Sequence, residues 1–162
     1  MKRARRWGWS ERRLPPTPAS GVDSGMIQEL LSRYFRSARP PGVVAVFLHG
    51  SQATGTAHRE SDVDVGVLLD PGVFPDRGHR SRMRVSLTAE LIQLLGVNAV
   101  DVLVLNDVPP TLGRAVATRG ILLFVADHEA LREYELQVQL RAPDLERFLA
   151  RMRPLMLKAL QR

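Results

Sequence analysis

The chain reads as an α/β protein, in the α+β sense of a mixed central sheet of about four strands flanked by helices, with a long helix at its C-terminus. Three observations predict this. Four short apolar runs, at 43–48, 62–69, 99–105 and 121–125, have the length and β-branched content of strands. Segments with apolar residues at helical spacing precede, separate and follow them. The connection between the first two runs is short, which makes them neighbours and the sheet mixed rather than all parallel.

Each element follows in order. Pro15, Pro16 and Pro18 set off an N-terminal segment, and the folded part begins near Val22. From 24 to 38, Met26, Ile27, Leu30, Leu31, Tyr34 and Phe35 mark an amphipathic helix, with Asp23 or Ser24 as its N-cap and Pro40, Pro41 and Gly42 as its stop. The strand 43–48 runs into Gly50 and Ser51, a polar loop follows to Ser61, and residues after Ser51 are placed to open a short helix. A second strand, 62–69, starts with Asp62 and Asp64. The segment 80–95 puts Met83, Leu87, Leu91, Leu94 and Leu95 on one helix face, with Arg80, Arg82 and Arg84 read as a solvated basic face. Asn98 is the expected break, 99–105 the third strand, 110–119 a helix begun by Pro109 and Pro110, and 121–125 the fourth strand. The C-terminal segment is helical, restarted at Pro143 and kinked or ended at Pro154. Its apolar residues, Leu145 to Leu160, exceed one buried face. They either close the back of the sheet or meet a partner or a second copy of the chain.

Length and composition bound the function. A chain of 162 residues suits one domain, and without cysteine it makes neither disulfides nor thiolate metal sites. Oxygen ligands, and so magnesium, become the natural metal hypothesis. No apolar run spans a bilayer, so the expectation is a cytoplasmic protein with no membrane partner. The net charge of +6 is concentrated at the start, where Lys2, Arg3, Arg5, Arg6, Arg12 and Arg13 face Glu11 alone. Residues 1–22 therefore read as a basic, disordered extension, 23–126 as the core and 127–162 as a helical segment packing on the core or a partner. With the rest near neutral, nucleic acid is not a required partner.

The chemistry sits between residues 43 and 70. In a strand, Asp62 and Asp64 share one face while Val63 and Val65 point into the core. Asp101 interrupts the buried-looking run of the third strand and completes a three-carboxylate cluster if that strand lies beside the second. Such a cluster suits two divalent ions about 3.5–4 Å apart, Asp62 and Asp64 bridging both and Asp101 holding the one nearer a nucleophile. Gly50 allows a phosphate close to the backbone, and Ser51 offers an N–H and a hydroxyl. His49 reads as a hydrogen-bonded strand-end residue.

At Gly50, Ser51, Gly55, Ser61, Asp62 and Asp64, with Asp101 on a later strand, the chain resembles the minimal nucleotidyltransferases of the DNA polymerase beta superfamily. The resemblance implies a nucleotidyltransferase fold, catalysis and metal binding by Asp62, Asp64 and Asp101, two Mg2+ ions, and ATP or another nucleoside triphosphate held by Gly50, Ser51 and Ser61. Where that family often has loop arginines this chain has Gln52 and Thr54, and Arg59 is the replacement phosphate ligand. Small members are commonly antitoxins paired with a HEPN-type toxin, some transferring AMP to a toxin tyrosine, so the resemblance also implies a protein partner of that kind. Two alternatives stay open: a non-catalytic module of the same fold that neutralises a partner by contact, and transfer to RNA or a small molecule.

Overall fold

A computed structural model of the chain describes residues 24–51, 62–97 and 99–160, with side chains as far as Met152. The N-terminal extension 1–22, the cap position Asp23, Asn98 and most of the loop after Ser51 lie outside these residues.

The order of elements is α1 (Ser24–Ala38), β1 (Val43–His49), β2 (Val63–Leu69), α2 (Arg77–Leu95), β3 (Val100–Val104), a 3₁₀ turn (Leu105–Asp107), α3 (Pro110–Arg119), β4 (Ile121–Val125) and α4 (His128–Leu160). The strands lie in the order β3-β2-β1-β4. β1 is antiparallel to both β2 and β4, and β2 is parallel to β3. The mixed sheet of four strands is thus as the sequence predicts. The parallel pair needs a crossover, and α2 supplies it.

Alternation along the strands divides the core in two. On one face Val63, Val65, Val67, Val100, Val102 and Val104 pack with Ile27, Leu31 and Phe35 of α1 and with Leu87, Leu91, Leu94 and Leu95 of α2. Burying each such side chain contributes about 2 kcal/mol, which is why two weakly helical stretches hold against this sheet. On the other face Phe47, Leu68 and Leu105 pack with Val116 of α3 and Leu131 of α4. No helix among the described residues is long and apolar enough to cross a membrane.

Three expectations need correction. α2 stops at Gly96, whose left-handed backbone (φ 64°) caps the helix and whose N–H donates to the Ile92 carbonyl at 2.9 Å, so the break precedes Asn98. α4 runs unbroken through Pro143 and Pro154. An internal proline costs about 3 kcal/mol through its lost hydrogen bond and ring clash. Contacts on both sides offset this at Pro143: Val138 and Ala142 are buried before it, and after it Glu146 accepts a hydrogen bond from Arg114 of α3.

The third correction concerns Arg80, which belongs to no solvated face. Its Nε and Nη2 grip the Asp107 carboxylate at 2.7 to 3.1 Å, and Nη1 donates to the Phe74 carbonyl at 3.1 Å. The two side chains are only 15% and 21% exposed. Beside them Asn106 pairs both with the N–H and with the carbonyl of Leu69, at 2.9 and 2.8 Å, acting as a substitute strand at the end of β2. These polar contacts tie the start of α2 to the end of β3. Arg80→Ala leaves the Asp107 carboxylate half-buried and unpaired, and should cost about 2 kcal/mol. The check is a lower urea midpoint with an unchanged m-value.

Candidate active site

The register brings three polar residues into one row across the sheet. Asp64 of β2 lies opposite His49 of β1 on one side and Asp101 of β3 on the other. Registered neighbours share a face, and this row lies on the face covered further along by α3 and α4. That cover reaches Gly66, two residues on from Asp64. A Cβ there would meet Val116 Cγ1 at 3.1 Å, Leu105 Cδ2 at 3.3 Å and the His49 ring at 3.5 Å. Asp64 stands beyond it and is partly open, and Asp101 and Asp62 are exposed. Val63 and Val65, between and beyond the acids, are buried on the opposite face.

Gly50 follows β1 directly and begins a helical turn with Ser51. It has φ 68°, and a Cβ built on it would lie 2.0 Å from Asp64 Oδ2 and 2.9 Å from its Cγ. The residue is therefore glycine for two reasons, a left-handed backbone and a carboxylate pressed against its α-carbon. The sequence assigns Gly50 to a phosphate; its observed neighbour is Asp64. Ser61 and Arg59 lie outside the described residues.

Electrostatics distinguish the members of the row. Burial pushes the Asp64 acid above its ordinary value, His49 opposes this, and the like charges of Asp101 and Asp62 add to it. Burial holds His49 below its ordinary 6.5, against the opposing pull of Asp64 and Asp101. Its Nε2 is buried with no hydrogen-bond partner among the described residues, so the satisfied strand-end histidine expected from the sequence is not what stands here. A neutral His49 binds fewer protons than its unfolded counterpart just below pH 6.5. Its contribution to stability is therefore present above 6.5 and lost as pH falls through the lower folded value. His49→Gln should flatten the decline of unfolding free energy between pH 7 and pH 5, measured by urea titration at each pH.

Among the described residues, no three acidic, histidine or cysteine side chains converge closely enough to hold a metal ion as they stand. Alignment of Asp64 with Asp101 is a property of the register; ligation would require the carboxylates to turn toward one another. The donor set still fits a hard divalent cation, being carboxylate oxygen throughout, and a cation would relieve the like-charge repulsion that raises the Asp64 acid. Hydrolytic or transfer chemistry on phosphates suits such a row at the mouth of a sheet, beside a helical turn that follows a glycine.

Comparison with known proteins agrees on the fold. A family model described as "Polymerase beta, Nucleotidyltransferase" matches residues 28–129. One solved structure, a toxin–antitoxin complex with AMP-PNP, superimposes with TM-score 0.59 at 21% identity, over 82% of this chain and 98% of its own. The toxin–antitoxin MntA-HepT gives TM-score 0.55 at 17% identity, over 84% and 98%. A tri-AMPylated Shewanella oneidensis HEPN toxin in complex with MNT antitoxin gives 0.54 at 18%, over 82% and 98%. No curated protein sequence matches the chain. At these identities the solved structures speak to the fold alone, whereas the family model spans more than half of the chain and includes Gly50, Asp64 and Asp101. On that match, the chain belongs to the polymerase beta nucleotidyltransferase family.

Proposed function

We propose that this chain transfers a nucleoside monophosphate, AMP from ATP, to a hydroxyl of a partner protein, a tyrosine of a HEPN-type toxin, and so acts as its antitoxin. The observation that carries the reading is the row of Asp101, Asp64 and His49, with Gly50 set against the Asp64 carboxylate. Among proteins of similar fold are a toxin–antitoxin complex with AMP-PNP and an AMPylated HEPN toxin bound to its MNT antitoxin, which supports the choice of nucleotide and acceptor.

In the reaction the acceptor oxygen bonds to the α-phosphorus, the bond from that phosphorus to the bridging oxygen breaks, and pyrophosphate leaves with the electron pair. Asp62, Asp64 and Asp101 would hold two Mg2+ ions, which when bound neutralise phosphate charge and favour the attacking alkoxide. Asp101 lies on the outermost strand, exposed, where an acceptor can reach it, and its carboxylate takes up the hydroxyl proton. Asp64 stands at the centre of the row, between His49 and Asp101 and with Gly50 against its carboxylate, so it is the acid placed to share a cation with its neighbour. Ser51, with Ser61 and Arg59 of the loop, would bind the phosphates of ATP. His49, held neutral, shields the inner side of Asp64 without adding a positive charge that would compete with a cation.

The test is co-expression of the chain with a HEPN-type partner, followed by mass spectrometry of the partner. An added AMP on a tyrosine, absent when Asp62→Ala and Asp64→Ala are introduced together, is the expected result. Neutralisation of the partner that survives the double substitution, with no added mass, would mean that contact alone does the work.

A further inference from the structure

The outer edge of β3 borders the transfer site and pairs with no strand among the described residues, since β3 ends the sheet. A cleft of about 260 Å3 lies along it, with Arg77, Ser81 and Arg84 on one side and residues 101–104 on the other, closed by Val108 and by Asp107, whose carboxylate is taken by Arg80. The spacing of 77, 81 and 84 puts these three on one face of α2. Neither Arg77 nor Arg84 has an ion-pair partner among the described residues, unlike Arg80, whose guanidinium is taken by Asp107. A second cleft, of about 420 Å3, lies on the far side of Arg84 and is lined by Val85, Ala89 and Ile92 against Val100 and Val102. Arg84, Asp101 and Val102 border both clefts, so the two form one groove along the strand edge with Asp101 between its basic and its apolar half. Val85 is 62% exposed, a large apolar side chain with no cover among the described residues.

Resting on the transfer reading above, we infer that this groove docks the acceptor: an extended, acidic, hydroxyl-bearing segment of the partner protein, added to β3 as a further strand. The main-chain groups on the open edge pair with the backbone of such a segment, which positions it without regard to sequence. Specificity then comes from the side chains. Carboxylates meet Arg77 and Arg84, an apolar residue covers Val85, Ala89 and Ile92, and the residue between them brings its hydroxyl to Asp101. Charge excludes the nearest competitors. The chain's own N-terminal segment is strongly basic, and a second copy paired through the same edge would set Arg77 and Arg84 against their own sign. RNA would satisfy the arginines, but it has no peptide backbone to pair with the edge and leaves the apolar half uncovered.

The experiment is fluorescence anisotropy of a labelled synthetic peptide titrated with the full chain. The peptide has a central tyrosine, with glutamates at the first and third positions on one side and valines at the first and third positions on the other, so that alternation turns these toward α2 and the tyrosine toward Asp101. Its counterparts carry lysines for the glutamates, or N-methyl groups on alternate amides. The acidic peptide is expected to bind about tenfold tighter than the lysine peptide, to weaken about tenfold on N-methylation, and to lose its advantage in the Arg77→Glu, Arg84→Glu double variant. Equal binding of the acidic and basic peptides, no binding by either, indifference to N-methylation, tighter binding of a single-stranded RNA, or dimerisation through this edge in sedimentation would each overturn the inference. The two readings fail separately. If a partner is labelled and its KM is unchanged by the double variant, the groove is wrong and transfer stands; if the peptide binds as expected but no partner is ever labelled, transfer is wrong and the groove stands.

Discussion

Asp64→Asn is expected to lower the rate of nucleotidyl transfer by about 10³-fold, about 4 kcal/mol of transition-state stabilisation, while raising the melting temperature of the ligand-free protein. The two effects have one cause. Burial raises the Asp64 acid, and the negative charges of Asp101 and Asp62 raise it further despite the pull of His49. A carboxyl whose folded value is raised contributes its full stability below the ordinary 3.8 and loses it as pH rises through the folded value. At neutral pH the ionised group therefore opposes folding, and an isosteric amide removes the opposition along with the charge needed for catalysis. Magnesium should raise the melting temperature of the wild type and have a smaller effect on Asp64→Asn. Calorimetry with and without the cation reads both halves; a variant less stable than wild type without cation would show that the Asp64 charge is already satisfied in the folded chain.

Gly50→Ala is expected to be nearly as damaging to activity, about 10²-fold, with the opposite sign in stability. The new methyl group would fall 2.0 Å from Asp64 Oδ2, and the backbone at φ 68° costs a non-glycine residue about 1–2 kcal/mol. The atom in the way is the end of a side chain, so the clash is relieved by turning the Asp64 carboxylate, and the fold is not lost. What is lost is the placement of one acid. A variant with a lower melting temperature, normal ATP affinity and poor turnover is the predicted profile. Full activity would mean that the carboxylate position in the ligand-free protein is not the working one.

The strands were legible because each is a compact β-branched run, and alternation alone puts Val63 and Val65 on one side and Asp64 on the other. That Asp101 belongs with Asp64 needed one condition, adjacency of β2 and β3, which no local pattern states and the crossover through α2 provides. His49 reads as a hydrogen-bonded strand end because its pairing with Asp64 across the antiparallel pair depends on a register that the long loop after Ser51 does not dictate. Gly66 reads as an ordinary small residue in a strand; Val116 of α3 and Leu105, packed close above it, explain its size. Pro143 misled because local propensity counts the lost hydrogen bond but not the contacts α4 makes on either side of it. Arg80 misled because its partner Asp107 is 27 residues away in sequence and close only once α2 has crossed back over the sheet.

The most direct test of nucleotidyl transfer at this row of acids is a pair of reactions with ATP radiolabelled at the α or at the γ phosphate, each with the partner protein and magnesium. Nucleotidyl transfer retains the α label on the acceptor and releases the γ label in pyrophosphate, and both outcomes should disappear in the Asp62→Ala, Asp64→Ala double variant. Label from the γ position on the acceptor would make the protein a kinase, and α label that persists in the double variant would place the chemistry elsewhere on the chain.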